Sequence, residues 1–167
     1  MITITVDNAA ALAGLAEINP AQIQSKMRGA VRRTLKAGKL EARGRIVARY
    51  TARSPLSLGK TASKVSGLNG SLTFSGKRNE VRRFIYRPST RPPHNPPGGI
   101  FVQIVKGHGG YLPRGFIGDG RLWERHGHDR TQIHRVKTIA LPGMAKAVKD
   151  YVLNKMNAQI ERELATL

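Results

Sequence analysis

After Pro20 the chain contains no further proline until residue 55, and this stretch constrains the fold more than any other part of the sequence. Asn19-Pro20 supplies a cap residue and a first helical residue whose missing N–H is no loss at that position. Beyond it Ile23, Met27, Ala30, Val31, Thr34, Gly38 and Ala42 recur at steps of three or four, the spacing of one helix face. The pattern predicts a long helix over residues 20–50 that lays this face on a sheet, with small residues permitting close approach. Gly29, Gly38 and Gly44 each disfavour a helix by about 1 kcal/mol relative to Ala, so a bend at one of them is the alternative to a single helix.

Arg28, Arg32, Lys36, Lys39 and Arg43 follow the same spacing on another face and form a basic stripe with only Glu41 to relieve it. An ordinary solvated face explains such a row as well as a surface laid against an anion does. The row belongs to a wider imbalance, 29 Lys and Arg against 10 Asp and Glu, for a net charge of +19. Self-repulsion of that size calls for counterions, nucleic acid, an anionic membrane or acidic protein surfaces, and charge alone does not choose among them.

The 167 residues suit one domain over residues 1–167. With aromatics at 5%, its core must rest on Leu, Ile, Val, Ala and Met. The absence of Cys excludes disulfides, thiolate metal sites and thiol nucleophiles. The first seven residues lack the basic region and apolar run of a secretory signal, and no stretch approaches the roughly 18 apolar residues of a membrane span. The expectation is a protein made and folded in a cytoplasm, without a membrane partner.

Ile2, Ile4 and Val6 alternate with Thr3 and Thr5 as a short strand at a sheet edge, and an Ala/Leu-rich helical turn is expected after it. Residues 52–70 are rich in Ser, Gly and Lys and read as a loop, with a small helix on Leu56, Leu58, Ala62, Val65 and Leu68. Leu72 and Phe74, then Val81, Phe84, Ile85 and Tyr86, flank Ser75-Gly76-Lys77-Arg78-Asn79 as two strands around a turn. Residues 87–99 are proline-rich and predict an extended loop, either an arm reaching a neighbouring subunit or simple disorder. Residues 100–106 suit a central strand, ended by Gly107-His108-Gly109-Gly110. Phe116-Ile117, Gly118-Asp119-Gly120 and Leu122-Trp123-Glu124-Arg125 read as a hairpin, residues 133–139 as another strand, and Pro142-Gly143 as the close of the sheet region. Met144, Val148, Tyr151, Val152, Met156, Ile160 and Leu164 then mark a C-terminal amphipathic helix. The predicted class is α+β: a long N-terminal and a C-terminal helix packed on a mainly antiparallel β-sheet, with an extended Pro-rich loop.

Little here points to chemistry. His126-Gly127-His128 with Asp129 and His134 invites a metal, but two histidines around one glycine do not make three or four ligands converge, and solvated turn histidines explain them as well. Asp119, Glu124 and Asp129 are the clustered acids a metal-dependent nuclease would need, yet Glu124 beside Arg121, Arg125 and Arg130 is more simply a surface ion pair. No glycine pair stands in the context of a phosphate-binding loop. No catalytic residue, metal ligand or cofactor is therefore assigned.

Leu112-Pro113-Arg114-Gly115-Phe116-Ile117, then Gly120-Arg121-Leu122-Trp123-Glu124-Arg125-His126-Gly127, then residues 133–142, resemble the minor tail protein Z and tail-completion families of tailed bacteriophages. Those families show a Pro-x-x-Phe segment, a turn, an aromatic strand ending in Arg, and a strand leading into a C-terminal helix. The resemblance also takes in the basic N-terminal helix and the Ser75-Gly76 turn, but not the Pro-rich loop. It implies a structural virion protein at the neck, a tail-terminator or head-tail joining subunit that finishes the tail in a ring, commonly sixfold, against tail, tube or connector proteins. In its light Arg114 and Arg125 become candidate subunit contacts. Phe116 and Trp123 are candidates too, with plain core packing their expected role. The basic stripe would face either the genomic DNA path or an acidic neighbouring ring. The alternative, independent of the resemblance, is a stand-alone basic nucleic-acid-binding protein.

Overall fold

The structure, a computed structural model, describes residues 1–6, 20–52, 59–90, 92, 94, 96–127 and 131–165. The first described strand is β1 (Ile2–Val6), followed by α1 (Pro20–Arg49), β2 (Lys60–Ser66) and β3 (Asn69–Ser75). Next come β4 (Arg78–Glu80), a 3-10 turn at Val81–Arg83, β5 (Ile85–Arg87), β6 (Ile100–Val105), β7 (His108–Leu112), β8 (Gly115–Gly118) and β9 (Arg121–Arg125). The chain ends through β10 (Ile133–Arg135), β11 (Lys137–Ala140), α2 (Leu141–Lys146) and α3 (Lys149–Leu164). The protein is α+β, and among the described residues every strand pairing is antiparallel.

The strands form four small sheets among the described residues, ordered β1-β3-β2, β5-β6-β7, β10-β9-β8 and β11-β4, where the sequence suggested one. Their connections explain the differences. β3 pairs with β2 across a tight turn and with β1 at its other side, so β1 does lie at an edge. The predicted pairing around Ser75–Asn79 does not form: β4 pairs with β11 and β5 with β6. Residues 60–66, expected in a loop, are the edge strand β2, whose mostly exposed side chains give no apolar alternation to read. The Gly107 turn ends β6 as expected, but His108-Gly109-Gly110 continues as β7. Residues 133–139 divide at Val136 between two sheets. Pro142 and Gly143 belong to the first turn of α2, where the N–H that proline lacks would have had no intrahelical acceptor. The helical turn expected after β1 and the Leu56–Leu58 part of the small helix fall outside the described residues.

The Pro-rich segment joins the paired strands β5 and β6, with Arg87 opposite Phe101, and so closes a long hairpin at its base. The Gly99 N–H donates to the Pro96 carbonyl at 2.9 Å.

α1 runs unbroken through its three glycines, because tertiary packing outweighs their propensity. The predicted face is the buried one: Met27, Ala30, Val31, Thr34, Gly38 and Ala42 are buried, joined by Leu35, Ile46 and Tyr50. It packs with α2 and α3 on Leu72 and Phe74 of β3, the main core, where α3 contributes Val152, Met156 and Ile160. Full burial of one such large apolar side chain contributes about 1.5–3 kcal/mol. Gly38 sets the approach of α1 to α3, since a Cβ there would stand 2.5 Å from Met156 Sδ and 3.2 Å from Leu72 Cδ1. A second, smaller core gathers Val81, Ile100, Ile117 and Leu122.

The end of α1 clips the two cores together. Thr51 N–H donates to the Ile104 carbonyl at 2.9 Å, and Lys106 N–H to the Arg49 carbonyl at 2.9 Å. The Thr51 hydroxyl donates toward the Gln103 carbonyl and accepts from the Ile85 N–H at 3.3 Å, so one side chain touches both β5 and β6. Asn79 and Thr138 tie β4 to β11 in the same way, through Asn79 Nδ2 to the Ile139 carbonyl and the Thr138 hydroxyl to the Asn79 carbonyl, each 3.1 Å.

α1 is also latched to α3 by Arg33 and Glu163, with Nη2 to Oε2 at 2.6 Å. The hydrogen bond from Arg33 holds the Glu163 carboxyl below the usual carboxylate range, against partial desolvation and with help from Gln159.

Two expectations follow. Gly38→Val lowers stability by about 1–3 kcal/mol through overpacking, whereas Gly44→Ala, with open space around it, raises stability by about 0.5–1 kcal/mol; urea denaturation of the two variants returning the same sign would refute the packing assignment. Glu163 stabilises the fold fully above its ordinary pKa of about 4.5 and loses that contribution as pH falls through its depressed folded value. The melting-temperature gap between the wild type and Glu163→Gln is therefore constant near neutrality and closes in acid, and a gap independent of pH from about 3 to 7 contradicts the latch.

Candidate functional site

The basic stripe of α1 divides in three dimensions. Arg28, Arg32 and Lys36 are exposed, and no ion pair engages them among the described residues. Lys39 and Arg43 are half-buried. With Lys60 they line a cleft of about 410 Å³ floored by Ile46, Phe74 and Leu141. The cause is helical geometry: Ile46 follows Arg43 by three residues and is buried, so the stripe winds into the edge of the core. Cations nearer α3 are engaged there, with the Arg45 guanidinium 4.6 Å from the Tyr151 ring centroid and Arg49 Nη1 donating to the Ala147 carbonyl at 3.4 Å.

The second surface is the β8–β9 hairpin. Asp119 and Gly120 have φ of 50° and 66°, the left-handed pair of a two-residue type I′ turn, which matches the twist of the strands it joins. That turn fixes Phe116 opposite Trp123 and Ile117 opposite Leu122. Alternation then decides the faces. Ile117 and Leu122 enter the smaller core, while Phe116 and Trp123 are half-buried on the opposite face with Arg121 and Arg125. Phe116 and Trp123 are thus not the core residues of this hairpin, as expected from their apolar bulk, because their neighbours on the other parity take those places.

Strand β10 extends this outer face, setting Ile133 opposite Arg125 and Arg135 opposite Trp123. The Arg125 guanidinium lies 5.0 Å from the Phe116 ring centroid, and that of Arg135 lies 5.3 Å from the Trp123 ring. Each such contact contributes about 0.5–1 kcal/mol at an exposed site and restrains a flexible side chain. Trp123 Nε1 donates to the Gly118 carbonyl at 3.0 Å. Arg135 Nη1 is also 3.7 Å from Glu80 Oε1, and Glu80 Oε2 is 2.9 Å from Arg82 Nε. Arg114 is exposed, and its carbonyl accepts from the Arg125 N–H at 3.3 Å. The four candidate contacts Arg114, Phe116, Trp123 and Arg125 therefore do meet on one hairpin. Arg121, two residues before Trp123 on β9, shares the face, and Ile133 and Arg135 complete it; these last two were missed because placing them needed the β9–β10 register.

The same register corrects the ion pair expected for Glu124. Arg121 and Arg125 leave from the other face, and Glu124 Oε2 instead meets His134 Nε2 at 3.5 Å. His134 also stacks near His126, with ring centroids 4.9 Å apart. His128, Asp129 and Arg130 lie outside the described residues, and no group of three or more His, Asp or Glu gathers among those described. Asp119 sits at the hairpin tip and Glu124 toward its base, on the order of 10 Å apart along a strand rising about 3.3 Å per residue. No described helix is long and apolar enough to cross a membrane. Comparison with protein families, with curated proteins and with solved structures returns no match.

The face assignment is checked by two truncations. Ile117→Ala empties part of the smaller core and lowers stability by about 2–5 kcal/mol, whereas Phe116→Ala on the half-exposed face lowers it by only about 1 kcal/mol. A larger loss for Phe116→Ala in chemical denaturation would place the aromatic pair inside.

Proposed function

We propose that this chain is a structural, non-enzymatic subunit of a tailed-bacteriophage virion, of the tail-completion kind, that finishes the tail at the neck and helps join it to the head. The observation that carries the reading is the pattern over residues 112–142: Pro113 to Phe116, a turn, an aromatic strand ending in Arg125, and strands that lead into a helical C-terminus. The order β8, turn, β9, β10, β11, α2 and α3 runs in the same sequence as that pattern. On this reading the subunits work as a ring, commonly sixfold in such assemblies, against tail, tube or connector proteins. They are made in the host cytoplasm and retained in the virion. A charge of +19 is suited to a place beside genomic DNA or an acidic protein ring. Purified protein is expected to assemble at high concentration and to restore joining to tails that lack it. A protein that stays monomeric and fails to complete such tails would end this reading.

One observation favours a second reading, a stand-alone nucleic-acid-binding protein: Arg28, Arg32 and Lys36 form an exposed cationic row on a rigid helix. Each phosphate neutralised on duplex DNA contributes about −0.9 to the slope of log affinity against log salt. Replacing the three by Ala is then expected to make the slope shallower by about 2.7. A flat slope for the parent protein would remove this second reading and leave the first standing.

A further inference from the structure

Beyond its neutral core positions, the β8–β9–β10 sheet presents an outer face made of two aromatic rings, three arginines and one exposed aliphatic side chain, with Ile133 45% exposed. We propose that this face docks an acidic segment of a different protein, one that offers carboxylates beside an aliphatic side chain. The inference does not depend on the tail-completion reading.

Arginine chemistry is the first argument. Guanidiniums bind carboxylates through paired, parallel hydrogen bonds, and they do so best when already held in place. Arg125 and Arg135 are so held, each lying over a ring. The mixture of Trp, Arg and exposed aliphatic surface is also the composition of energetic centres in protein interfaces.

Other occupants fit less well. A single-stranded nucleic acid stacks its bases on open ring faces, but here guanidiniums lie over Phe116 and Trp123, and Ile133 offers a sugar-phosphate chain nothing polar. A second copy of this chain would bring a further +19, and three of its carboxylates, Glu80, Glu124 and Glu163, are already engaged with Arg82, His134 and Arg33. Glu80 and Asp119 moderate the positive field at the margins of the face but do not reverse it, since Arg82, Arg121, Arg125 and Arg135 stand beside them.

Trp123 is the one tryptophan of the sequence, so its emission reports on this face alone. The full chain is titrated with a glutamate–leucine copolymer, with polyglutamate, and with a 20-nucleotide oligothymidylate. The expected result is a saturable change in Trp123 emission with the copolymer at lower charge concentration than with either other polymer. The pair Arg125→Lys and Arg135→Lys keeps the charge and is expected to weaken copolymer binding by about tenfold. Ile133→Ser is expected to bring the copolymer down to the level of polyglutamate, and Arg28→Lys with Arg32→Lys on α1 to change nothing. All the replaced side chains are exposed, and circular dichroism checks that each variant is folded. No saturable change with the copolymer overturns the proposal. So does half-saturation by oligothymidylate at the lower concentration, which assigns the face to nucleic acid. Equal affinity of the Arg125/Arg135 lysine pair also overturns it, by reducing the effect to bulk charge.

Discussion

The placement of everything else depends on how closely α1 can approach its neighbours. Gly38 lets α3 and β3 come in on one side, and Gly70 lets Val31 and Leu35 lie on the sheet, since a Cβ at Gly70 would stand 2.8 Å from Val31 Cγ1. With these two contacts made, the helix has one position along the sheet, and its end at Tyr50 and Thr51 has one position against β6. From that point the smaller core and the outer hairpins are fixed in turn. A chain with 5% aromatics thus obtains a defined architecture from close fit more than from bulk.

Close fit has to be reached against strong self-repulsion. The few acids whose partners are seen are spent at joints: Glu163 between α1 and α3, Glu80 at the meeting of β4 with β10, and Glu124 across β9 and β10. Elsewhere guanidiniums lie on rings, with Arg45 on Tyr151, Arg125 on Phe116 and Arg135 on Trp123. These contacts let cations cover aromatic surface, and at Arg45 and Arg125 they do so with no ion pair among the described residues. The excess charge that remains is displayed on α1 and on the outer hairpin, two surfaces that differ in character. The first is a row of long aliphatic stems ending in charge. The second is mixed with aromatic and aliphatic groups.

What could be read beforehand follows the physics of local signals. The 3.6-residue period of α1 and the Asp119-Gly120 turn are written in neighbouring residues, and α1 and the hairpin stand where the sequence put them, whereas the single C-terminal helix expected from Met144 to Leu164 is divided at Ala147 and Val148 into α2 and α3. β2 was not legible, because an exposed edge strand of Lys, Thr and Ser carries no alternation. The partners of β4 and β5 were not legible either, since β4 meets β11 some sixty residues later and no local pattern records that choice. The candidate site divides along the same line. Arg114, Phe116, Trp123 and Arg125, which the resemblance singled out, lie together because a local turn folds them onto one hairpin. The orientation of the aromatic pair was reversed, and Arg135 was missed, because both depend on which side of the pleat the core lies.

The position of β1 bears on how the molecule comes together in time. Its partner residues on β3 lie 64–72 residues further on, whereas β3 closes on β2 through a turn of two residues. Loop-closure entropy favours the nearer pairing, so β1 is expected to dock on β3 after β2 has done so. Until it does, β3 presents an open row of amide and carbonyl groups, the kind of edge that recruits strands from other chains. Pulse-labelled amide exchange during refolding would resolve the order, with late protection of residues 2–6 the expected signature and protection as early as that of β2 the result that excludes it.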